Sequence, residues 1–113
     1  MAHDVHGTWT IVQGNGFSVV VDISQRTEPP LNLLIDGPLS GTADSFNSAG
    51  TATAIKRPLN GEIIQDSVEF SVDWGNGTHG QYSGNFDPQG NLTGVTFDVA
   101  HPTSQATWFR RQP

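Results

Sequence analysis

Residues 61–100 constrain the fold more than any other stretch, because their apolar side chains recur at every second position. The recurring positions are, in three successive runs, Val68, Phe70, Val72 and Trp74; Tyr82, Gly84 and Phe86; and Val95, Phe97 and Val99. A period of two is typical of strands with one dry face and one wet face. The segments 75–80 and 87–91 that separate the runs carry the glycine, asparagine and proline of turns. The pattern therefore predicts an antiparallel meander of three strands.

Further strands are predicted on both sides of the meander, at residues 8–13, 17–24, 39–46, 59–64 and 106–111. Residues 25–38 are predicted to be irregular, because the prolines at 29 and 30 lack the N–H that a strand ladder needs. We expect residues 31–35 within that stretch to cover one end of the fold. Residues 51–55 are expected to form at most a short edge segment, residues 56–58 a break, and residues 101–105 a turn. The chain, 1–113, is predicted to be a single domain with a flexible tail over residues 1–6.

An apolar residue followed two positions later by glycine recurs at residues 39–41, 59–61, 82–84 and 92–94. Glycine inside a strand marks a bulge, a sharp bend or the close approach of another backbone. Four such positions favour a sheet that curls shut, and closure removes the exposed edges of an all-β chain. The prediction is an all-β fold, a single antiparallel up-and-down β-barrel of about eight strands, whose interior is filled by side chains or holds one small ligand. A β-sandwich is the alternative.

The composition argues against several classes of partner. The net charge is −6, and the basic pairs Lys56–Arg57 and Arg110–Arg111 are too small for the clustered basic surface that grips phosphates. Nucleic acid and anionic membranes are therefore poor candidates. The chain contains no cysteine, so it has no disulfide and no thiolate chemistry. The first residues show no charged and apolar leader, which leaves a cytoplasmic protein and a mature secreted form both open.

Candidate catalytic and metal-binding groups are scattered. The four histidines fall in the predicted tail and in turns, without the spacing of metal ligands on a regular element. Glu69 and Asp73 share a strand face about 13 Å apart, too far for two carboxylates acting on one bond. Asp98 is expected to face away from Phe97, toward solvent. No nucleophile motif or phosphate loop is present, so we predict no catalytic residue, metal or cofactor.

Several motifs, in order along the chain, resemble the avidin/streptavidin family. They are Gly7-Thr8-Trp9, Gly14-Asn15-Gly16-Phe17, the DG-x-LSGT run at 36–42, the FSVDWGN run at 70–76, Tyr82-Ser83-Gly84-Asn85 and Ala106-Thr107-Trp108. The resemblance covers most of residues 7–109 and implies a barrel that binds a small ligand without catalysis. It places Trp74, Phe97 and Trp108 where that family has the aromatic residues of its ligand cage, with Tyr82 in place of a fourth.

The same resemblance indicates whether biotin is a suitable ligand. Asn15 stands where the family has a serine in its first turn, whereas Ile11 and Ala43 stand where it has polar residues that grip biotin. An apolar cavity wall is kept while its hydrogen-bonding floor is not, so tight biotin binding is not expected. The resemblance also implies a homo-oligomer, with Val20, Thr42 and Val95 as outward contact positions.

Three functions remain open from the sequence. The preferred one is a non-catalytic barrel that binds a small ligand, with Trp74, Tyr82, Phe97, Trp108 and Asn15 as the ligand-binding residues. Aromatic walls with a few polar groups are typical of such pockets. The second is a lectin whose aromatic side chains stack on a glycan. The third is a small barrel cyclase or isomerase.

Overall fold

The computed structural model describes residues 3–75 and 77–111, which form eight β-strands closed into one barrel. The strands are β1 (Gly7–Gln13), β2 (Ser18–Glu28), β3 (Leu33–Phe46), β4 (Ala52–Ile64), β5 (Ser67–Asp73), β6 (His79–Phe86), β7 (Leu92–Asp98) and β8 (His101–Arg111). Each strand pairs antiparallel with the next, and β8 closes the barrel on β1 through Gln13 and Trp108. The prediction of an up-and-down β-barrel is confirmed, and the β-sandwich alternative is wrong. The described residues include no helix with the length and apolar character needed to cross a membrane.

The inward faces of β1, β2, β5 and β6 follow the predicted alternation. Trp9 and Ile11 of β1 and Phe70 of β5 are buried, while the residues between them are more exposed. In β6 the buried positions are Gly80, Tyr82, Gly84 and Phe86. These side chains build one continuous core along the barrel axis. Burial of this apolar surface is the main favourable term in folding.

Strand β7 has the opposite phase from the predicted one. Leu92 and Thr96 are buried, whereas Val95 is 41% exposed and Val99 is 52% exposed. The inward Thr96 lies opposite the buried Tyr82 in the pairing of β6 with β7, within reach of its hydroxyl. Both faces of this strand carry apolar residues, so period alone does not identify the inner one.

Several strands are longer than predicted. Strand β2 continues to Glu28 and β3 begins at Leu33, so most of the stretch predicted to be irregular is a hairpin. Its tip does not cover the barrel, since Leu31 is 75% exposed. The predicted break at 56–58 lies inside β4, where Lys56 has a positive φ.

 That φ, 51°, lies in the left-handed region, and the backbone N–H of Lys56 donates to the Asp44 carboxylate at 2.6 Å.

The start of strand β8 also differs from the prediction. Residues 101–105 were expected to turn, but β8 begins at His101 and pairs with β7 through Asp98 and Thr96. The pairing shifts register between those two β7 residues, which is the mark of a bulge. The turn itself is confined to Val99 and Ala100, and the backbone N–H of Ala100 donates to the Asp98 carboxylate at 3.0 Å.

Residues 3–6, here called the N-terminal strap, close one end of the barrel. Val5 is fully buried, and its backbone N–H donates to the Gln25 side chain at 2.9 Å. The Gln25 amide in turn donates to the carbonyl of His3 at 2.8 Å, and Arg110 donates to the carbonyl of Asp4 at 2.7 Å. These bonds hold the strap in place, so residues 3–6 differ from the flexible tail that was predicted. Met1 and Ala2 lie outside the described residues.

The recurring strand glycines mark close approaches between backbones. A Cβ atom on Gly61 would lie 2.0 Å from the carbonyl oxygen of Glu69, and one on Gly94 would lie 1.9 Å from that of Ser83. Either distance is far inside a van der Waals contact, so only glycine fits without movement of the neighbouring strand. Of the three interpretations of the repeat, close approach therefore applies at these two positions.

Candidate functional site

A cavity of about 430 Å³ opens at the end of the barrel opposite the N-terminal strap. It is lined by four aromatic residues, Phe17, Trp74, Tyr82 and Phe97. Its polar lining residues are Gln13, Asn15, Ser45, Thr53, Thr78, Thr96, Asp98 and Ser104. We call it the open-end cavity. Its volume lies within the range of about 300–1,000 Å³ that is typical of small-ligand sites.

The floor of the open-end cavity is a packed aromatic layer. The ring of Tyr82 stacks on that of Phe70, with centroids 5.0 Å apart and planes 10° apart. Trp108 meets Tyr82 edge-on, with centroids 6.3 Å apart. Offset and edge-on arrangements of this kind stabilise aromatic pairs beyond the area they bury. Below this layer the barrel is filled, so the cavity is confined to the open end.

The structure brings four of the five predicted site residues to the cavity, namely Asn15, Trp74, Tyr82 and Phe97. The fifth, Trp108, is not in the cavity lining; it packs edge-on against Tyr82 and is buried. Its indole N–H donates to the carbonyl of Val95 at 2.9 Å. Trp108 therefore supports the cavity floor through its contact with Tyr82.

A hydrogen-bond chain runs from the floor to the rim. The Tyr82 hydroxyl donates to Gln13 Oε1 at 2.9 Å, and Gln13 Nε2 donates to Asn15 Oδ1 at 3.2 Å. Asn15 Oδ1 also accepts the backbone N–H of Phe17 at 3.1 Å. Burial raises the pKa of the Tyr82 phenol well above its ordinary value, and the hydrogen bond with Thr96 offsets part of that rise. Tyr82 is thus a neutral donor that fixes the orientation of the Gln13 amide.

Trp74 differs from the other two tryptophans in the hydrogen bonding of its indole N–H. The Trp9 indole donates to the carbonyl of Val5 at 2.9 Å, and the Trp108 indole is bonded to Val95 as described. Within residues 3–75 and 77–111, the Trp74 indole N–H has no hydrogen-bond partner. Its ring lies over Gly80, where a Cβ atom would be 2.8 Å from Trp74 Nε1. The half-buried Trp74 therefore presents an unused donor at the cavity wall.

Two polar residues of the cavity lining come shortly after Ile11 and Ala43, the apolar residues that stand where the avidin/streptavidin family has polar ones. Gln13 lies two residues after Ile11, and Ser45 lies two residues after Ala43. Residues two apart on a strand share a face, so the polar group of each strand lies one step nearer the open end. Period 2 identifies these positions as inward, but the sequence does not indicate how high the filled core reaches.

The predicted direction of the Asp98 side chain is wrong. Asp98 was expected to face solvent, yet it lines the cavity and its side chain is 33% exposed. The reversed phase of β7 is the reason, since Asp98 lies two residues beyond the inward Thr96. Asp98 Oδ1 accepts the N–H of Ala100, and Oδ2 lies 3.4 Å from Nδ1 of the exposed His101.

A second acidic residue, Asp73, lies near the rim but belongs to the outer surface. Arg57 Nε donates to the carbonyl of Asp73 at 2.9 Å, and the Arg57 guanidinium lies 3.9 Å from the Asp73 carboxylate. His79 Nε2 lies 3.9 Å from the same carboxylate oxygen. Asp73 does not contribute to the cavity lining, so its charge is used in contacts on the outside of the barrel.

Comparison with known proteins supports the fold. No family model matches the sequence, and no curated protein matches it either. Among solved structures, a low-affinity mutant of shwanavidin aligns with a TM-score of 0.56 at 18% identity, over 99% of this chain and 100% of the other. This likeness confirms the avidin-like barrel fold that the ordered motifs predict.

Proposed function

We propose that this protein is a non-catalytic binding protein whose small ligand enters the open-end cavity and contacts Trp74. The observation that carries the proposal is the unused indole N–H of Trp74, half-buried at the wall of a 430 Å³ cavity. The indole groups of Trp9 and Trp108 are bonded to backbone carbonyls, as purely structural tryptophans are. Aromatic walls with a few fixed polar groups are typical of small-ligand sites.

The proposed ligand is not tightly bound biotin. Ile11 and Ala43, which replace polar residues of the avidin/streptavidin family, are fully buried. Both side chains belong to the packed apolar core of the barrel. A polar ligand group buried there without a partner would cost about 1–3 kcal/mol. Two or more such groups would weaken binding by orders of magnitude, since about 1.4 kcal/mol corresponds to a tenfold change. A biotin titration that gave sub-nanomolar affinity would contradict this.

The test of the proposed site is Trp74→Phe, which keeps the apolar wall and removes the N–H. A small-molecule and glycan screen, read by tryptophan fluorescence, first provides a ligand. We expect Trp74→Phe to weaken binding of that ligand with little change in melting temperature. The matched control is Trp9→Phe, at the strap end, which loses its bond to Val5 and should lower stability while leaving binding unchanged. The opposite pattern would show that Trp74 serves packing.

A carbohydrate-binding function is the second candidate. The observation that favours it is that the polar lining groups are hydroxyls and amides with one carboxylate, the groups that pair with sugar hydroxyls. Trp74 and Phe97 would supply the stacking faces. A glycan array separates this function from the first, and Trp74→Phe should abolish any array signal that arises in the cavity.

We propose in addition that the chain forms a homo-oligomer through its outer sheet surface. Val12 and Phe109 are directly paired across β1 and β8, and the exposed Val95 lies nearby on β7. The other contact positions from the sequence, Val20 and Thr42, lie on β2 and β3 and form a separate surface. Light scattering at high micromolar concentration should give at least a dimer, and a mass of 12.1 kDa would contradict the proposal.

A further inference from the structure

We propose that the open-end cavity selects an organic cation, with the ligand's ammonium group held by the Asp98 carboxylate beside the aromatic wall of Trp74 and Phe97. The inference rests on the proposed function and adds the chemical class of the ligand.

The charge of the cavity lining has one sign. Among the described residues that line it, Asp98 is an acidic residue, and none is a lysine, arginine or histidine. The nearby Arg57 is held on the outer surface by Asp73. The chain as a whole carries a net charge of −6, so its field also disfavours anions. A carboxylate ligand would enter this cavity without a cationic partner.

Asp98 has capacity for a further donor. An ionised carboxylate offers about four lone-pair sites. In the structure Oδ1 accepts the N–H of Ala100 at 3.0 Å. Oδ2 has a long contact of 3.4 Å to His101, whose side chain is 73% exposed. The carboxylate is itself partly shielded from solvent, which strengthens an ion pair relative to a fully exposed one.

The strand pairing places aromatic surface next to this carboxylate. Asp98 pairs directly with Gly80 on β6, and Trp74 lies over Gly80. Phe97 precedes Asp98 and also lines the cavity. A cation close to an aromatic face is attracted by the ring's quadrupole. A carboxylate flanked by aromatic side chains is therefore suited to an ammonium group that carries an apolar substituent.

The experiment compares three probes of similar size, which are benzylammonium, benzyl alcohol and benzoate. Binding to the full chain is followed by tryptophan fluorescence and by chemical shifts of the Trp74 indole at low ionic strength. We expect benzylammonium to bind about tenfold more tightly than benzyl alcohol, as one charge-assisted contact allows. Benzoate should bind more weakly than the alcohol.

Two matched variants locate the effect. Asp98→Asn keeps an acceptor for the Ala100 N–H and removes the charge, so it should reduce the affinity for benzylammonium to that for benzyl alcohol. Asp73→Asn removes the same charge from the outer rim and should preserve the preference. The affinity for benzyl alcohol should be unchanged in Asp73→Asn, because Asp73 lies outside the cavity lining.

Three outcomes would overturn the inference. They are benzoate binding as tightly as benzylammonium, no effect of Asp98→Asn, and an equal effect of Asp73→Asn, which would indicate the general field of the protein. If the three probes bind equally at Trp74, the cavity is a ligand site without charge selection and the proposed function stands. If none of them shifts the Trp74 signals and the ligand screen is also negative, both proposals fail.

Discussion

Truncating Val5 to alanine should destabilise the barrel although Val5 precedes the first strand. The side chain is fully buried, and the residue links the strap to Gln25 through its N–H and to Trp9 through its carbonyl. The substitution keeps both backbone bonds and removes two methyl groups from the core. Its effect therefore measures the apolar contact of the strap alone.

The magnitude follows from the groups removed. Each buried methylene contributes about 0.8 kcal/mol, which gives about 1.6 kcal/mol for the two carbons of Val5. The cavity left behind adds to this, so we expect Val5→Ala to lower the free energy of unfolding by about 1.5–3 kcal/mol. The loss cannot exceed the free energy with which the strap is docked, since beyond that the strap detaches and the barrel keeps its other contacts.

Urea unfolding followed by circular dichroism measures the change. Val99→Ala is the matched control, because it removes the same atoms from a side chain that is 52% exposed. Exposed substitutions of this kind change stability by no more than about 0.5 kcal/mol. All variants are compared at one protein concentration, since association would shift the apparent stability. Equal effects of Val5→Ala and Val99→Ala would refute the reasoning and show that residues 3–6 do not contribute to the core.

Three further predictions concern other parts of the barrel. Burial raises the pKa of Tyr82, so the stability that the neutral Tyr82 side chain contributes is present below the unfolded pKa of about 10 and is lost as pH rises above it. Tyr82→Phe should remove this loss of stability at alkaline pH. Absorbance of the chain's one tyrosine should show no ionisation at pH values where free tyrosine titrates. Gly94→Ala should destabilise by about 3 kcal/mol or more, since its Cβ would lie 1.9 Å from the carbonyl oxygen of Ser83, whereas Thr93→Ala on the exposed face should have little effect in the same urea assay. The hydrogen bond from the N–H of Asn91 lowers the pKa of the exposed Asp87, and the N–H groups of Gln89 and Gly90 lower it further. The unsubstituted protein should therefore be more stable than Asp87→Asn above about pH 4, and this difference should shrink as pH falls through the folded pKa of Asp87.

The strands were predictable where apolar and polar residues alternate without ambiguity. In β5 the apolar set of Val68, Phe70 and Val72 alternates with polar residues, and that set is buried. Strand β7 has apolar residues on both faces, and its inward face is the one that places Thr96 opposite the buried Tyr82 in the pairing with β6. The strap was not predictable for a related reason, since its single apolar residue is surrounded by charged and polar neighbours in the sequence.

The sequence indicated some of the residues that line the cavity but missed the aromatic Phe17 and, apart from Asn15, the polar ones. Period and resemblance both place Trp74 and Tyr82 on an inward face. They do not distinguish Trp74 from Trp108, because the difference lies in whether a backbone carbonyl from a neighbouring strand accepts the indole N–H. The predicted direction of Asp98 depends on the phase of β7, so an error in that phase moved this charged lining residue to the outside.

The two ends of the barrel offer different opportunities for engineering. The β2–β3 hairpin extends from the strap end, and the molecule measures 43 Å along its longest axis and 26 Å along its shortest. Its tip at residues 29–32 is exposed and lies at the end opposite the cavity. Immobilising the protein through this tip on a sensor surface would leave the cavity facing the sample. The connections at residues 14–17, 47–51 and 99–100 surround the cavity, and randomising them would vary ligand contacts while the strands that close the barrel stay intact.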